Sequence, residues 1–488
     1  MLAGYKFVWI IFLLLVFSTA NGQHYQAIHG SSFAGSLGVA NNPASILAVP
    51  YKWDITPLAV QAKWSTNAIQ TENFSLKDPG ATTVNVANGQ FPRHIDLSQD
   101  LHLLNARFRL SPVAAIAFGI NLRSGINIKT GPMNWQDTIS SVRQFMSANF
   151  SNSPMQASIR SSSWMGVYGS YAKKVMENEM GVLHAGVTVQ VNRGVAAGYL
   201  TAKNAYIVPG QVHNQPGFLL SEGELEAAYS SNFDLPDMPG SNAANIKRFL
   251  KQTWSSLSMS LGAEYLLSSG ETGYDLKLGL SLLDLGYNKY QYSVNSRTAR
   301  FNAGANADSL IEASFDNIDG SPAAADSLGR LRGEVNTPTG FFKVFQPARI
   351  VINADKHITG HFYINAELSI PVTPILGRKA IYVNELNLLA ITPRFETRAL
   401  GLYLPLTYNT KSQLWVGAAL KAGPLLLGVH NLSGIFAGDK IQNGGAYLAL
   451  NMRPWRKKNS DEEGEETERR SGSRGKKANR FGCPANIN

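Results

Sequence analysis

The sequence predicts an all-β protein, a single antiparallel transmembrane β-barrel of about 14 strands. Three observations lead to this fold class. Segments of about 10 residues alternate between apolar and polar side chains, and a membrane-crossing strand tilted by about 45° has this length. The connections between segments alternate between short and long. Beyond the N-terminal 22 residues, no run of about 18 apolar residues could form a transmembrane helix.

The alternation is clearest in the hairpin over residues 254–282. Apolar residues occupy every second position of its two strands, at Leu257, Met259, Leu261, Ala263 and Tyr265 and then at Leu276, Leu278, Leu280 and Leu282. Successive side chains of a strand point to opposite faces, so each strand has one apolar and one polar surface. Tyr265 and Tyr274 flank the turn, and we expect them on the apolar face as interfacial aromatic residues. A soluble sandwich is the alternative, but its strands average about 5–6 residues.

The lengths of the connections favour the barrel. Fourteen strands are predicted near residues 51–64, 99–111, 113–123, 160–174, 181–193, 254–266, 273–283, 343–355, 358–370, 386–398, 399–409, 413–421, 424–431 and 445–453. The links after the even-numbered strands are short, and most of the others are long. Bacterial outer-membrane barrels have this asymmetry, with the short turns in the periplasm. It predicts that both termini lie in the periplasm. Two long loops, over residues 134–150 and 241–252, are expected to contain short helices.

The chain divides into four predicted parts. Residues 1–22 form a secretory signal peptide, in which Lys6 precedes an apolar core from Phe7 to Phe17. Residues 23–50 form an N-terminal hatch, or plug, segment, and residues 51–455 form the barrel. Residues 456–488 are a charged periplasmic tail with too little apolar surface to fold alone, so we expect it to be disordered.

The N-terminal segment is expected to fold inside the barrel. It contains apolar residues that need a dry environment: Phe33, Leu37, Val39, Ile46 and Leu47. The barrel lumen is the nearest shelter. Asn42-Pro43 favours a turn, because proline fixes its own φ and disfavours helix at the preceding residue. We therefore predict a turn of Asn42, Pro43 and Ala44 against the inner wall.

Composition and motifs exclude several classes of function. The net charge of +10 comes partly from the tail, and no basic stripe with interleaved aromatic residues indicates nucleic acid as a partner. The single cysteine, Cys483, rules out an internal disulfide framework. His357 and His361 are four residues apart on a predicted strand, about 13 Å at 3.3 Å per residue, which is too far to share a metal. Without a catalytic motif, we expect neither an enzyme nor a cofactor.

At the level of motifs, the chain resembles the FadL-like outer-membrane barrels. The 14-strand parity and the segment that ends in Asn42-Pro43-Ala44 carry this resemblance, which implies a small hatch inside the barrel. The second half is more similar to a branch from Bacteroidetes that includes the secretion-associated barrel PorV and barrels of unassigned function. The shared phrases are GLSLLDLGYNKY, ITPRFETRALGLYLPLTYN, VGAALKAGPLLLGVHNLSGIF and GGAYLALNMRP. The positions Asn443, Gly445, Leu448 and Leu450 resemble the signal read by the barrel-assembly machinery, which implies this machinery as a partner during biogenesis.

Three functions follow as expectations for a barrel in the cell outer membrane, in contact with its lipid. The first is passive transport or binding of a hydrophobic small molecule, as in FadL-like proteins. The second is a PorV-like, non-enzymatic role in secretion or envelope assembly, with a protein partner docked on the loops or the tail. The third is a simple porin. The alternation predicts that six polar side chains face the lumen, where they form either a packed polar filling or a path for solutes: Arg107, Arg109, Glu264, Asp275, Lys277 and Glu367.

Overall fold

The fold is a closed antiparallel barrel of 14 strands, as the sequence predicts. The computed structural model describes residues 25–72, 83–150, 154–234, 242–267, 274–301, 310–315, 327, 334–376, 380–385, 388–409, 413–432 and 441–454. Each barrel strand pairs with its neighbours in the chain, and the first strand also pairs with the last, so the sheet has no open edge. The predicted signal peptide, the predicted tail and Cys483 lie outside the described residues.

The barrel strands are β1 (Trp53–Thr66), β2 (Gly89–Ser111), β3 (Ala114–Trp135), β4 (Met155–Asn178), β5 (Gly181–Val212), β6 (Ser255–Leu267), β7 (Leu276–Gln291), β8 (Arg349–Thr359), β9 (Phe362–Pro371), β10 (Leu388–Glu396), β11 (Leu400–Tyr403 and Leu406–Asn409), β12 (Leu414–Val416 and Ala418–Ala422), β13 (Leu425–Val429) and β14 (Asn443–Met452). β11 and β12 are each interrupted once, and both parts of β11 pair with β10. All 14 match strands predicted from the sequence, one to one.

The predicted parity of the connections is confirmed. Between strands whose link is fully described, the even-numbered ones are followed by two or three residues, such as 112–113 and 360–361. The links after the odd-numbered strands are longer, and the shortest of them has the four residues 410–413. β1 begins and β14 ends at the barrel end that carries the short turns, because Trp53 pairs with Phe108 and Met452 pairs with Ile55.

The long-loop end carries the remaining elements. Short strands lie at Ile69–Glu72, Thr83–Val86, Gln215–Tyr229, Arg297–Phe301, Glu334–Asn336, Phe341–Phe345 and Ile381–Tyr382. The helices are α1 (Val142–Asn149), α2 (Asn242–Lys251) and α3 (Ile311–Phe315), with 3-10 turns at Ser231–Asp234 and Thr373–Leu376. α1 and α2 confirm the two helices predicted in the loops. No helix in the described part of the chain is both long and apolar enough to span a membrane.

The two faces of the barrel wall differ as the alternation predicts. On the central hairpin, Leu261 and Leu278 are 41% and 43% exposed on the outer face, whereas Glu264 and Lys277 are 4% and 2% exposed on the inner face. This arrangement puts the apolar side chains where lipid would surround them. It also collects charged groups inside the barrel, where they need partners.

The N-terminal residues 25–50, here the inner segment, lie in the lumen. They form three 3-10 turns, Gln26–Ile28, Gly35–Ala40 and Pro43–Leu47, which contribute buried apolar residues to two clusters on the inner wall. Leu37 and Tyr25 pack with Tyr403 and Tyr447 in one cluster, and Ile46 packs with Tyr168 in the other. Phe33 is only half-buried.

Candidate functional site: a filled lumen and an apolar cavity above it

The turn at Asn42 packs closely against two glycines of the barrel wall, Gly186 and Gly262. The Asn42 side chain accepts a hydrogen bond from the Ala44 N–H at 3.0 Å and donates one to the Ala263 carbonyl of β6 at 2.9 Å. A Cβ atom on Gly186 of β5 would lie 2.5 Å from the Ala44 nitrogen, and one on Gly262 would lie 2.0 Å from the Asn42 Oδ1. Glycine at these positions lets the backbone of the inner segment approach the wall closely.

Two predicted lumen residues, Arg107 and Arg109, bind the carbonyl groups that end the inner segment. Arg107 is fully buried and donates to the Ile46 carbonyl at 3.0 Å and to the Tyr51 carbonyl. Arg109 donates to the Leu47 carbonyl at 3.1 Å. Multiple donors in a fixed fork suit arginine to several acceptors at once.

Asp54 completes this cluster on β1. Its carboxylate accepts from Arg107 Nε at 2.5 Å and from the Ser36 N–H at 2.6 Å. It therefore connects the guanidinium to the second 3-10 turn, and both ionised groups are fully buried with partners.

A third predicted lumen residue, Glu367 of β9, holds the start of the inner segment. Its carboxylate lies 2.8 Å from His29 Nδ1 and accepts from Asn41 Nδ2 at 3.2 Å. Ser31 donates to Glu396 of β10 at 2.7 Å. The inner segment is thus fixed to opposite sides of the barrel.

Tyr25, at the start of the inner segment, is also buried in the lumen. Burial raises the pKa of its phenol well above the ordinary value, with a smaller contribution from the nearby Asp100 carboxylate. The phenol therefore stays protonated. The backbone N–H of Tyr25 donates a hydrogen bond to the Gln61 side chain at 2.7 Å.

Glu264 and Lys277 form a buried pair with a nitrogen–oxygen distance of 3.6 Å. Asp275 lies one residue before β7 and is half-buried, and its backbone bonds to Leu267 and His357. The expectation for Tyr274 is wrong. Its hydroxyl donates to Asp355 and lies 3.4 Å from Arg394, so the ring points to charged residues of the lumen and not to lipid. Regular alternation begins only at Leu276, so extending it back to Tyr274 assigns the wrong face.

Sequence reasoning missed a chain of buried charges at the short-turn end. Arg394 binds Asp355 at 2.5 Å and Glu396 at 3.0 Å, and Glu396 also accepts from Lys421 at 3.0 Å. Arg394 and Lys421 lie between apolar neighbours on their strands, and this pattern could have identified them. The pairing of these buried charges brings together three strands and has no local signal.

A small cavity lies beside the inner segment. The cavity between the inner segment and β6–β8 measures about 20 Å³, which is room for about one water molecule. Within the described residues, no group of three or more potential metal ligands occurs. Hydrogen bonds and ion pairs between buried groups join the inner segment to the wall in this region.

A larger cavity of about 550 Å³ lies at the long-loop end. It is lined by α1, the upper parts of β3–β5, the strand Gln215–Tyr229 and α3, and it is open on one side. Most of its lining is apolar and includes Met133, Trp135, Phe145, Met146, Ile207 and Leu220. Drug-sized ligands occupy pockets of about 300–1,000 Å³ that are mostly apolar with a few polar groups. Here Ser140 and Ser141 are such polar groups. The sequence predicts no residue of this cavity as a site, although it predicts a helix in the loop that contains Phe145 and Met146.

Hydrogen bonds and an ion pair hold α1, which covers the cavity, at both of its ends. α1 begins after Ser141, whose side chain accepts from the Gln144 N–H at 3.2 Å. Arg143 on the outer side of α1 forms an ion pair with Glu312 of α3 at 3.3 Å. Arg143 is 56% exposed, so this pair contributes little to stability.

Comparisons with known proteins give one family and several barrels. The family described as "Family of unknown function (DUF5723)" matches residues 43–429. No curated protein matches the sequence significantly. Among solved structures, the chain is similar to the toluene transporter TbuX of Ralstonia pickettii, with 10% identity, a TM-score of 0.40 and coverage of 86% of this chain and 94% of that chain.

Two further structures are similar over comparable lengths. A FadL homologue of Pseudomonas aeruginosa has 13% identity and a TM-score of 0.40, with 89% of this chain and 97% of that chain covered. A mutant of the TodX monoaromatic hydrocarbon channel has 9% identity and a TM-score of 0.42, with the same coverage.

Proposed function

We propose a function on the premise that the chain belongs to the DUF5723 family of unknown function. The protein is a barrel of the bacterial outer membrane that captures apolar small molecules at its long-loop end and acts as a FadL-like passive transporter or binder. The observation that carries this proposal is the apolar cavity of about 550 Å³ under α1. Its volume and lining fit a small hydrophobic ligand.

The exterior of the barrel supports the membrane location. Leucines on the outer face, such as Leu257 at 64% and Leu280 at 55% exposure, would meet water if the barrel were soluble. A closed barrel satisfies its backbone hydrogen bonds internally, as lipid requires. The short turns and both ends of the barrel then lie in the periplasm, and the cavity faces the outside of the cell.

A second candidate function rests on the filled lumen. The inner segment is buried in the lumen and bonded to opposite walls through Glu367 and Arg107, which argues against a simple porin. A filled barrel suits a non-enzymatic partner in secretion or envelope assembly, whose function depends on surfaces and not on a pore. Binding of an apolar probe separates this candidate from the first.

The test measures binding of N-phenyl-1-naphthylamine to the full-length protein in lipid nanodiscs. Energy transfer from Trp135 distinguishes probe in the cavity from probe in lipid, with Trp135→Phe as the reference for the chain's other tryptophans. Ala157 and Ala202 face each other on β4 and β5, and both line the cavity. We expect Ala157→Phe with Ala202→Phe to fill the cavity and abolish this signal.

The matched control is Val167→Phe, which enlarges a side chain that is 54% exposed on the outer face. This variant should bind the probe as the unaltered protein does. Mass spectrometry of molecules co-extracted with the purified protein would identify the natural ligand. Absence of saturable energy transfer in the unaltered protein would contradict the transport proposal and leave the partner function.

A further inference from the structure

A second segment crosses the lumen above the inner segment. Residues 380–385 belong to the connection between β9 and β10, at the long-loop end. Val383 is 3% exposed and packs on Gly125 of β3, and the Asn384 N–H donates to Asn127 Oδ1 of β3 at 2.6 Å. In a ring of 14 strands, β3 and β10 are seven places apart and therefore lie on opposite walls. The segment must cross the interior to make these contacts.

Two buried arginines hold the crossing segment in place. The Glu385 carboxylate lies 2.8 Å from Arg123 Nη2 of β3 and 2.9 Å from Arg349 Nη1 of β8. Asp100 and Asp284 also pair with Arg123, at 2.8 and 2.9 Å. Two arginines therefore face three carboxylates, all buried or nearly so. Removal of the Glu385 carboxylate breaks both ion pairs of the crossing segment and leaves Arg123 and Arg349 paired with Asp100 and Asp284.

Apolar residues fill the space around the crossing segment. Val383 belongs to a buried cluster with Tyr199, Tyr290, Phe342 and Val344, and Ile381 packs against this cluster. Such an apolar constriction opposes the passage of water and ions.

Arg349 contacts both segments inside the barrel. Besides its pairs with Glu385 and Asp284, it donates through Nη2 to the Ala40 carbonyl of the inner segment at 3.4 Å. The two segments therefore lie one above the other and share one side chain.

We propose that residues 380–385 form a second barrier in series with the inner segment, held closed by Glu385 on Arg123 and Arg349. Permeation through the lumen then requires displacement of both segments. Displacing either one alone leaves the other across the path. This inference concerns the lumen and does not depend on the apolar cavity, so it stands or falls separately from the proposed function.

A disulfide tests whether the segment crosses the lumen. A Cβ on Gly125 would lie 3.5 Å from the Val383 Cβ, within the range of about 3.5–4.5 Å found in disulfides. In a full-length Cys483→Ser background, Gly125→Cys with Val383→Cys should therefore cross-link on mild oxidation. Each single cysteine variant serves as the control. A folded double variant that stays reduced would overturn the proposed path of the segment.

Conductance in planar bilayers tests the two barriers. We compare full-length Gly262→Leu, which clashes with Asn42 and displaces the inner segment, full-length Glu385→Ala, and the combination of both. Only the combination should conduct KCl well, and each single variant should stay near the unaltered protein. Glu177→Ala, which removes an ion pair from a side chain that is 60% exposed, should behave as the unaltered protein both alone and with Gly262→Leu.

Two results would refute the second barrier. Gly262→Leu alone could conduct as well as the combination, which would show that the crossing segment blocks nothing. Alternatively, the combination could stay closed although chymotrypsin cleavage at Phe33 or Leu37 shows that the inner segment has been displaced. Retained probe binding together with either result would leave the proposed function intact.

Discussion

Gly186→Ala tests the close contact between the inner segment and the barrel wall. The new Cβ would lie 2.5 Å from both the Ala44 nitrogen and the Pro43 carbonyl carbon. Non-bonded heavy atoms prefer about 3.5–4.0 Å, so the turn at Pro43 has to move by about 1 Å. Neither contact is with a flexible side chain, so the backbone itself must shift. Overpacking of this kind costs about 1–3 kcal/mol, and we expect that loss in the free energy of unfolding.

The control for this prediction is Gly169→Ala on β4. A Cβ at Gly169 would have no atom within 4 Å, so the substitution adds no clash and restricts the unfolded chain. We expect it to be neutral or stabilising by up to about 1 kcal/mol.

Urea unfolding in lipid, followed by the heat-dependent shift of the barrel in gel electrophoresis, measures both variants. Chymotrypsin adds a second readout, because residues 25–50 contain no lysine or arginine but do contain Phe33 and Leu37. Equal unfolding midpoints and equal protease resistance for Gly186→Ala and Gly169→Ala would refute the close contact between Gly186 and the inner segment.

Three further predictions concern the two faces of the wall. Leu278→Arg places a charge on the outer face and should cost about 2–4 kcal/mol in the free energy of folding into bilayers if the site lies near the midplane; an unchanged value would show that Leu278 does not face lipid. Lys277→Ala leaves the buried Glu264 without its partner, so it should cost about 3–5 kcal/mol, and adding Glu264→Gln should recover part of this loss; a double variant no more stable than the single one would refute the pairing. Arg107→Leu should destabilise the barrel by a similar amount, about 3–5 kcal/mol, because Asp54 loses its counterion, and thermal unfolding of the refolded protein measures the loss; stability equal to that of the unaltered protein would contradict the role of Arg107.

The barrel could be predicted from the sequence because lipid and lumen impose a period of two on every strand. Where this environment ends, the prediction fails. β5 continues to Val212, although the predicted strand ends at residue 193, and β2 begins at Gly89, although the predicted strand begins at residue 99. Above the barrel, neither face of these strands needs to meet lipid, so alternation no longer marks the strand.

The lumen could be predicted only in part. Alternation assigns Arg107 and Glu367 to the inner face, but it does not reveal that they bind Ile46 and His29. Glu367 and His29 are separated by 338 positions in the chain, and no local pattern records such a contact. The apolar cavity escaped prediction for the same reason, because its lining comes from six separate elements.

The pairing of β1 with β14 has a consequence for how the protein is made. The two strands that seal the ring are the first and the last of the barrel, so the final ladder of hydrogen bonds cannot form until the whole barrel sequence is present. The inner segment precedes β1, yet its partners Glu367 and Glu396 lie on β9 and β10. These contacts can form only once β9 and β10 are in place, so an inner segment that docks before closure is enclosed when β1 pairs with β14. In the assembled barrel, strands that come later in the chain enclose a segment that precedes them. An inner segment left outside when the barrel closes would have to enter through the barrel mouth.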